Sequence, residues 1–308
     1  MKKQELNYIQ KLEIKSLWDL YDVHLTLNPD VNIIVGNNGS GKSTLLMILK
    51  MIAGLPIDFL TQKSFEAKNI KATWITSSGK ELFEGKIEKE TPKFSLQPKI
   101  KNIWNKGQPN NILVNYIATF DNIPKPNDKS YTETPLDKEL DEQLSNYTEY
   151  QNRLLKKKEN RSKSLSDVLK KRDWLFNKLN ELFKPTDKTF VESEEDSRPT
   201  VLLSNNKKLS LFQLSSGEKQ LLIILLTVLC QDEKPAILLL DEPEISLHTN
   251  WQHELIEIIR ILNPNCQIIA ATHSPSMFND GWRDKVIWMA DVLTEIKPIL
   301  KAVNTEGV

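Results

Sequence analysis

Gly36-Asn37-Asn38-Gly39-Ser40-Gly41-Lys42-Ser43-Thr44 is the stretch on which the fold turns. It follows the apolar run Val31, Ile33, Ile34, Val35, which reads as a short buried strand. It leads into Thr44 to Ile52, long enough for a helix and stopped by Gly54 and Pro56. In that strand–loop–helix setting, glycines let backbone N–H groups close around phosphate oxygens at the positive end of a helix dipole. Lys42 is then placed to reach the β- and γ-phosphates, and the Ser43 hydroxyl to ligate Mg²⁺. A plain glycine turn before a helix is the alternative, and the Gly-Lys-Ser ending argues against it. The stretch predicts a nucleoside triphosphate site that includes Asn37, Asn38, Gly39, Ser40, Gly41 and Thr44.

Two apolar runs further on end in residues suited to the same chemistry. Ala236-Ile237-Leu238-Leu239-Leu240 runs into Asp241-Glu242, the pattern of a strand buried on both faces with acids at its tip. Asp241 is predicted to hold Mg²⁺ beside Ser43, and Glu242 to act as general base toward water. The other reading has the two acids capping the next helix. Gln267 to Ala271 runs into Thr272-His273-Ser274, placing His273 at another strand tip, within reach of a γ-phosphate. Leu214-Ser215-Ser216-Gly217-Glu218-Lys219-Gln220 precedes the helix-like run Leu221 to Leu229 and forms a second anion site at a helix start. One triphosphate does not need two such sites in one chain, unless the second serves a neighbouring molecule.

The 308 residues suit one large α/β domain with an insertion, or two small domains. Lysine plus arginine equal aspartate plus glutamate at 41 each, so net charge excludes no class of partner. No apolar run is long enough for a membrane span, and the first residues lack the apolar core of a signal peptide. The two cysteines, Cys230 and Cys266, sit among apolar neighbours and read as buried free thiols, in keeping with a cytoplasmic setting.

Three short apolar runs between residues 8 and 35 read as a strand meander leading into the phosphate loop. Residues 65 to 120 are again strand-like. From Leu136 the apolar spacing changes to three and four, through Leu140, Leu144, Tyr147 and Leu154, and again from Leu165 to Phe183. Residues 136–184 therefore read as two helices folding back at a polar elbow and projecting from the body. From Arg153 to Arg172 this element carries nine basic residues against Glu159 and Asp167. Such a run is either a solvated face or, through Lys156, Lys157, Lys158 and Arg161, a contact for nucleic acid or an acidic partner. Thr200 to Leu203 and Leu209 to Phe212 are predicted to pair as a hairpin.

Taken in order, Gly36–Thr44, Leu214–Gln220, Leu240-Asp241-Glu242-Pro243 and Ala271-Thr272-His273-Ser274 resemble the motifs of ABC-type ATPases. The forms Leu-Ser-Ser-Gly-Glu-Lys-Gln and Asp-Glu-Pro-Glu-Ile-Ser-Leu-His are most similar to the cytoplasmic branch with SMC, RecF and defence-associated ATPases. The resemblance implies an α/β ATPase head, with a mixed sheet flanked by helices and an inserted helical hairpin. It implies lobes at 1–135 and 185–308, the first with the phosphate loop, the second with the signature, the acids and a switch histidine, His273. ATP and Mg²⁺ are the implied substrate and cofactor, and ATP hydrolysis the implied reaction. A head-to-tail homodimer is implied too, each ATP held between one chain's phosphate loop and the other's Leu214, Ser215, Ser216, Gly217 and Glu218. Ile245 to His248 becomes the loop that crosses between them.

The family's usual γ-phosphate-sensing glutamine has no counterpart in Ile117-Ala118-Thr119-Phe120-Asp121, which leaves Asp121 or Thr119 for that role. Relatives of this size in PARIS-type or Septu-type antiphage modules control a separate nuclease or effector, and no nuclease constellation is visible in this sequence. A RecF-like repair ATPase, an ATP-gated scaffold with little turnover, and a transporter's nucleotide-binding subunit are the other roles compatible with the motifs.

Overall fold

The computed structural model describes residues 6–53, 55, 67–76, 79–87, 92–96, 104–105, 108–109, 112–118, 134–161, 165–193 and 198–296. The chain opens with β1 (Leu6–Leu17) and β2 (Tyr21–Thr26), continues through β3 (Val31–Val35), and enters α1 (Lys42–Ile52) directly after the glycine loop. A strand-rich stretch follows, with β4 (Ala67–Thr76), β5 (Gly79–Ile87), β6 (Pro92–Leu96), β7 (Trp104–Asn105), β8 (Gln108–Pro109) and β9 (Leu113–Ile117). Then come the helices α2 (Pro135–Arg161) and α3 (Leu165–Phe183), and the short strands β10 (Lys188–Glu192), β11 (Pro199–Leu203) and β12 (Lys208–Leu209). The last third alternates helix and strand. It runs α4 (Ser216–Cys230), β13 (Ala236–Asp241), α5 (Thr249–Leu262), β14 (Cys266–Thr272), β15 (Val286–Trp288), α6 (Met289–Val292) and β16 (Leu293–Glu295).

A five-stranded parallel sheet in the order β15-β3-β14-β13-β9 forms the centre. Its three middle strands are apolar on both faces, and successive residues feed two different cores, as a period of two requires. Leu238, Leu240, Ile268 and Ala270 face the helical side, packing with α2, α3, α4 and α5. Ile237, Leu239, Ile269 and Ala271 face α1 and the antiparallel sheet β16-β2-β1-β4-β5-β6. Within α4, Gly217 to Leu229 are all buried, and from Leu221 onward every one of them but Thr227 is apolar, as suits a helix enclosed by others. Among the described residues no helix is long and apolar enough to cross a membrane.

Three expectations need correction. The first is the meander. β1 and β2 do pair antiparallel, from Lys11 opposite Thr26 to Leu17 opposite Tyr21, but β3 leaves them for the central sheet. β2 buries only alternate residues in its second half, whereas β3 buries all five; Asn32 is satisfied inside by the carbonyls of Asn28 and Ile268. The second is the hairpin, which shrinks to two pairs, Val201 with Leu209 and Leu202 with Lys208. Ser210 and Gln213 form a reciprocal capping box that turns Leu211–Gln213 into a 3-10 helix, local bonds that compete with strand pairing.

The third is the projecting hairpin. α2 and α3 are present, but among the described side chains buried ones run from Leu136 to Leu154 and from Leu169 to Phe183, so much of both helices belongs to the core. The basic run is also partly engaged in the fold. Arg153 donates to the Cys230 carbonyl, Lys171 pairs with Glu233 and donates to the Ile261 carbonyl, and Arg172 pairs with Asp173 and Glu192. Lys156 is exposed, while the side chains of Lys157, Lys158 and Arg161 lie outside the described residues. Of the two thiols, Cys266 is buried and Cys230 only half-buried; both are free, and burial pushes each up to about 12.

Candidate nucleotide site

The phosphate loop leaves the C-terminal end of β3 and closes on α1. Gly41 has φ +95°, a left-handed conformation that disfavours side chains, and a Cβ there would meet the Trp18 ring at 3.1 Å. No side chain caps α1 and no acid lies in its first turn, so its N–H groups face the loop. Asn37, Asn38 and Gly39 are exposed, Ser40, Gly41 and Thr44 half-buried, and the Ser40 amide closes a turn on the Asn37 carbonyl at 3.1 Å. A cleft of about 300 Å³ is lined by Trp18, Lys42, Ser43, Glu242 and His273 with the loop glycines.

The parallel register brings the strand tips together: Val35 lies beside Thr272, and Ala271 beside Asp241. Lys42, 4% exposed, donates from Nζ to the carbonyls of Gly36 and Asn37 at 3.1 and 3.2 Å, and sits 2.6 Å from His273 Nε2. An ammonium only donates, so toward Lys42 the Nε2 atom can take part only as an acceptor. The same Nε2 lies 3.3 Å from Glu242 Oε1. Burial lowers the Lys42 pKa, while Glu242, Asp241 and Glu244 pull it back upward. Glu242 occupies a left-handed turn, φ +48°, and donates its amide to the Ala271 carbonyl at 2.8 Å, which ties it to the strand carrying His273.

Asp241 accepts from Ser43 Oγ at 3.0 Å on one oxygen and from the Tyr116 hydroxyl at 3.2 Å on the other. Burial raises its pKa above the usual carboxylate value despite those two bonds, and neighbouring Glu242 adds to the rise. A carboxyl whose folded-state pKa exceeds its unfolded value destabilises the fold once pH climbs through the folded value. Asp241→Asn is therefore expected to raise the melting temperature of the ligand-free protein at pH 7 by a few degrees. The gain should vanish below about pH 4, where both forms of the chain are neutral at this position. Differential scanning fluorimetry across pH reads it, and an equal or lower melting temperature at pH 7 contradicts it.

The Leu214–Glu218 segment lies apart from this cleft. Leu214 is buried, Ser215 exposed and Ser216 half-buried. Ser215 caps α4: its Oγ accepts from the Glu218 amide, and the Glu218 carboxylate accepts from the Ser215 amide at 2.8 Å. Glu218, 3% exposed, also pairs with Lys188 at 2.5 Å, and Lys219 with Asp137 at 2.6 Å. Ser215, Glu218, Ser246 and Trp251 line a second cleft of about 520 Å³ that shares no lining residue with the first. A Cβ on Gly217 would sit 2.0 Å from the Ser246 carbonyl oxygen, so only glycine lets the loop after Glu242 lie against this helix.

Thr119 and Asp121, the two positions considered for phosphate sensing, lie outside the described residues. The strand before them contributes Tyr116 instead, a residue the sequence reading passed over, and its aromatic place near the end of an apolar strand was the available signal. Trp18 went unremarked as well. Its closeness to Gly41 depends on how β1 and β2 dock beside the loop. Of the other histidines, His253 pairs with Asp280 at 2.8 Å and His248 accepts from the Asn250 amide.

A family model described as "AAA domain, putative AbiEii toxin, Type IV TA system" matches residues 31–279. Over 85 residues the chain is 34% identical to a retron Vc95 probable ATPase of Vibrio cholerae serotype O1 biovar El Tor, covering 24% of this chain and 16% of that protein. The Septu protein PtuA of Bacillus thuringiensis is 29% identical over 101 residues, 29% of this chain and 26% of that protein. The chain thus spans well under a third of the length of these curated relatives. A solved SMC head bound to the C-terminal winged-helix domain of ScpA superposes with TM-score 0.58 at 15% identity, covering 95% of this chain and 98% of that one. The SMC head domain from Thermotoga maritima gives 0.51 at 14% identity, over 94% and 98%. At such identities the likeness establishes the fold alone, that of an ABC-type P-loop ATPase head.

Proposed function

Because the chain belongs to the AAA domain family described as putative AbiEii toxin of type IV TA systems, we propose that it hydrolyses ATP and uses the nucleotide to join two copies of itself. The observation that carries this reading is the convergence of Lys42, Ser43, Asp241, Glu242 and His273 at the C-terminal ends of the middle strands of the parallel sheet, where open α/β sheets bind ligands. In this reading the Lys42 ammonium and the α1 amides bind the phosphates. The Glu242 carboxylate, on its left-handed turn, accepts a proton from the attacking water, and the His273 ring orients the γ-phosphate side of the site.

The donor set suits Mg²⁺. Ser43 Oγ and Asp241 Oδ1 are hard oxygen donors 3.0 Å apart, and no group of three or more His, Cys, Asp or Glu residues gathers among the described residues. Mg²⁺ is usually held by one or two protein oxygens, with phosphates and water completing its shell. When bound, it neutralises charge on the phosphates.

The separation of the Ser215 cleft from the phosphate loop supports the head-to-tail arrangement, since each chain then presents half a site at either place. Residues 1–135 and 185–308 are the two lobes of the head in this proposal, and 136–184 an insertion between them. The names of the retron and Septu relatives support a role in antiphage defence, in which the nucleotide state governs a separate effector. Any contact with nucleic acid falls to Lys156 and its neighbours at the elbow. Lys42→Ala tests the nucleotide reading: binding of a fluorescent ATP analogue and phosphate release should both be lost. Retention of either by this variant rejects it.

A further inference from the structure

We propose that Gln252 is a positioning residue for hydrolysis, its side-chain amide tying the loop that carries Glu242 to the loop that carries His273. Gln252 lies in the first turn of α5, half-buried, at neither strand tip. Its Nε2 donates to the carbonyls of Leu247 at 2.9 Å and Glu244 at 3.3 Å, both in the loop that follows Glu242. Its Oε1 accepts from Ser274 Oγ at 2.6 Å, in the residue that follows His273. Two carbonyls on one side and a hydroxyl on the other use both amide hydrogens and the amide oxygen. A second bond runs parallel to this link, from the His273 amide to Glu244 Oε1 at 2.8 Å.

The two carbonyls that Gln252 holds bracket Ser246, whose φ is +70° and whose own carbonyl fills the space beside Gly217. One side chain therefore fixes three pieces: the turn presenting Glu242, the tip presenting His273, and the loop lying against the α4 start. Without the amide, the Glu242 turn and the His273 tip keep their strand anchors and the single His273–Glu244 bond, but lose the side chain that joins Glu244 and Leu247 to Ser274. Misplacement of a reacting group by about 1 Å can cost on the order of 100-fold in rate while leaving binding intact.

The inference rests on the reading of Glu242 and His273 as the hydrolytic pair, and the test separates the two. Steady-state ATP turnover, binding of a fluorescent ATP analogue and thermal melting are measured on the full chain for Gln252→Leu, Ser274→Ala, their double variant and Glu242→Gln. Gln252→Leu is expected to lower kcat roughly 30- to 100-fold, with KM and analogue affinity within about threefold of the parent. Ser274→Ala, which removes only the switch-side bond, is expected to lower kcat about three- to tenfold. The double variant should be no slower than Gln252→Leu alone, because both changes delete the same bond. Should Gln252→Leu fail to fold, Ser274→Ala still decides: an unchanged kcat overturns the inference. So does a Gln252→Leu loss that appears equally in nucleotide affinity, or losses that simply multiply in the double variant. If Glu242→Gln is inactive while Gln252→Leu and Ser274→Ala keep the parent rate, the link alone is wrong. If Glu242→Gln itself turns over normally, the hydrolytic reading has failed first.

Discussion

An equal mixture of Lys42→Ala and Ser216→Arg chains is expected to restore ATP turnover to as much as about one quarter of the parent rate, with each variant inactive alone. The figure follows from head-to-tail geometry: random pairing makes about half the dimers mixed, and one of the two sites in each mixed dimer is intact. The choice of Ser216 follows from the packing. Gly217 looks like the natural target, yet any side chain there collides with the Ser246 carbonyl of its own chain, so a loss of activity would say nothing about a neighbour. Ser216 is half-buried in the first turn of α4, and an arginine there leaves the Ser215–Glu218 capping box in place. The measurement is phosphate release at fixed total protein over a series of mixing ratios. Wild-type turnover by Ser216→Arg alone, or no recovery at any ratio, excludes a site shared between chains in this manner.

Glu242→Gln is the second change with a large expected effect. The amide retains the volume and the turn but cannot accept a proton, so turnover should fall by about 10²- to 10⁴-fold, the usual share of a general base. ATP binding should survive, because Lys42 and the α1 amides are untouched. With hydrolysis blocked, the ATP-bound pair should accumulate, visible as a doubled mass by light scattering in ATP and a single mass in ADP. A variant that binds ATP, fails to hydrolyse it and remains a monomer would separate catalysis from assembly and refute the proposed use of the nucleotide.

The elements that were legible in the sequence are those whose signal is local. β3, β13 and β14 announce themselves as apolar runs because both faces are buried, and α2 and α3 by their three-and-four spacing. The start of α4 at Ser215 was equally readable, and the structure makes that serine the cap of the helix. What escaped depends on partners distant in the chain. Nothing local says that β3 pairs with β14 and β15 rather than with β2, and the meander reading failed there. The charge run from Arg153 to Arg172 looked solvent-facing because its partners, the Cys230 and Ile261 carbonyls, Glu192 and Glu233, lie 20 to 90 residues away. Gln252 was missed for the same reason: it becomes informative only after the fold has brought Ser274 beside it.

The neighbours of β3 have a consequence for synthesis of the chain. β3 is complete at Val35, but the strands that flank it, β14 and β15, end at Thr272 and Trp288. On a ribosome adding about 5–20 residues per second, the phosphate loop waits roughly 12–50 s before its supporting strands exist. Its strand, buried on both faces when folded, lacks both of its sheet neighbours throughout that interval. A nascent chain halted before β14 can build the β1–β2–β4 sheet but has no scaffold for binding nucleotide. The nucleotide site can therefore assemble only after synthesis has passed Trp288, more than 240 residues beyond the loop it supports.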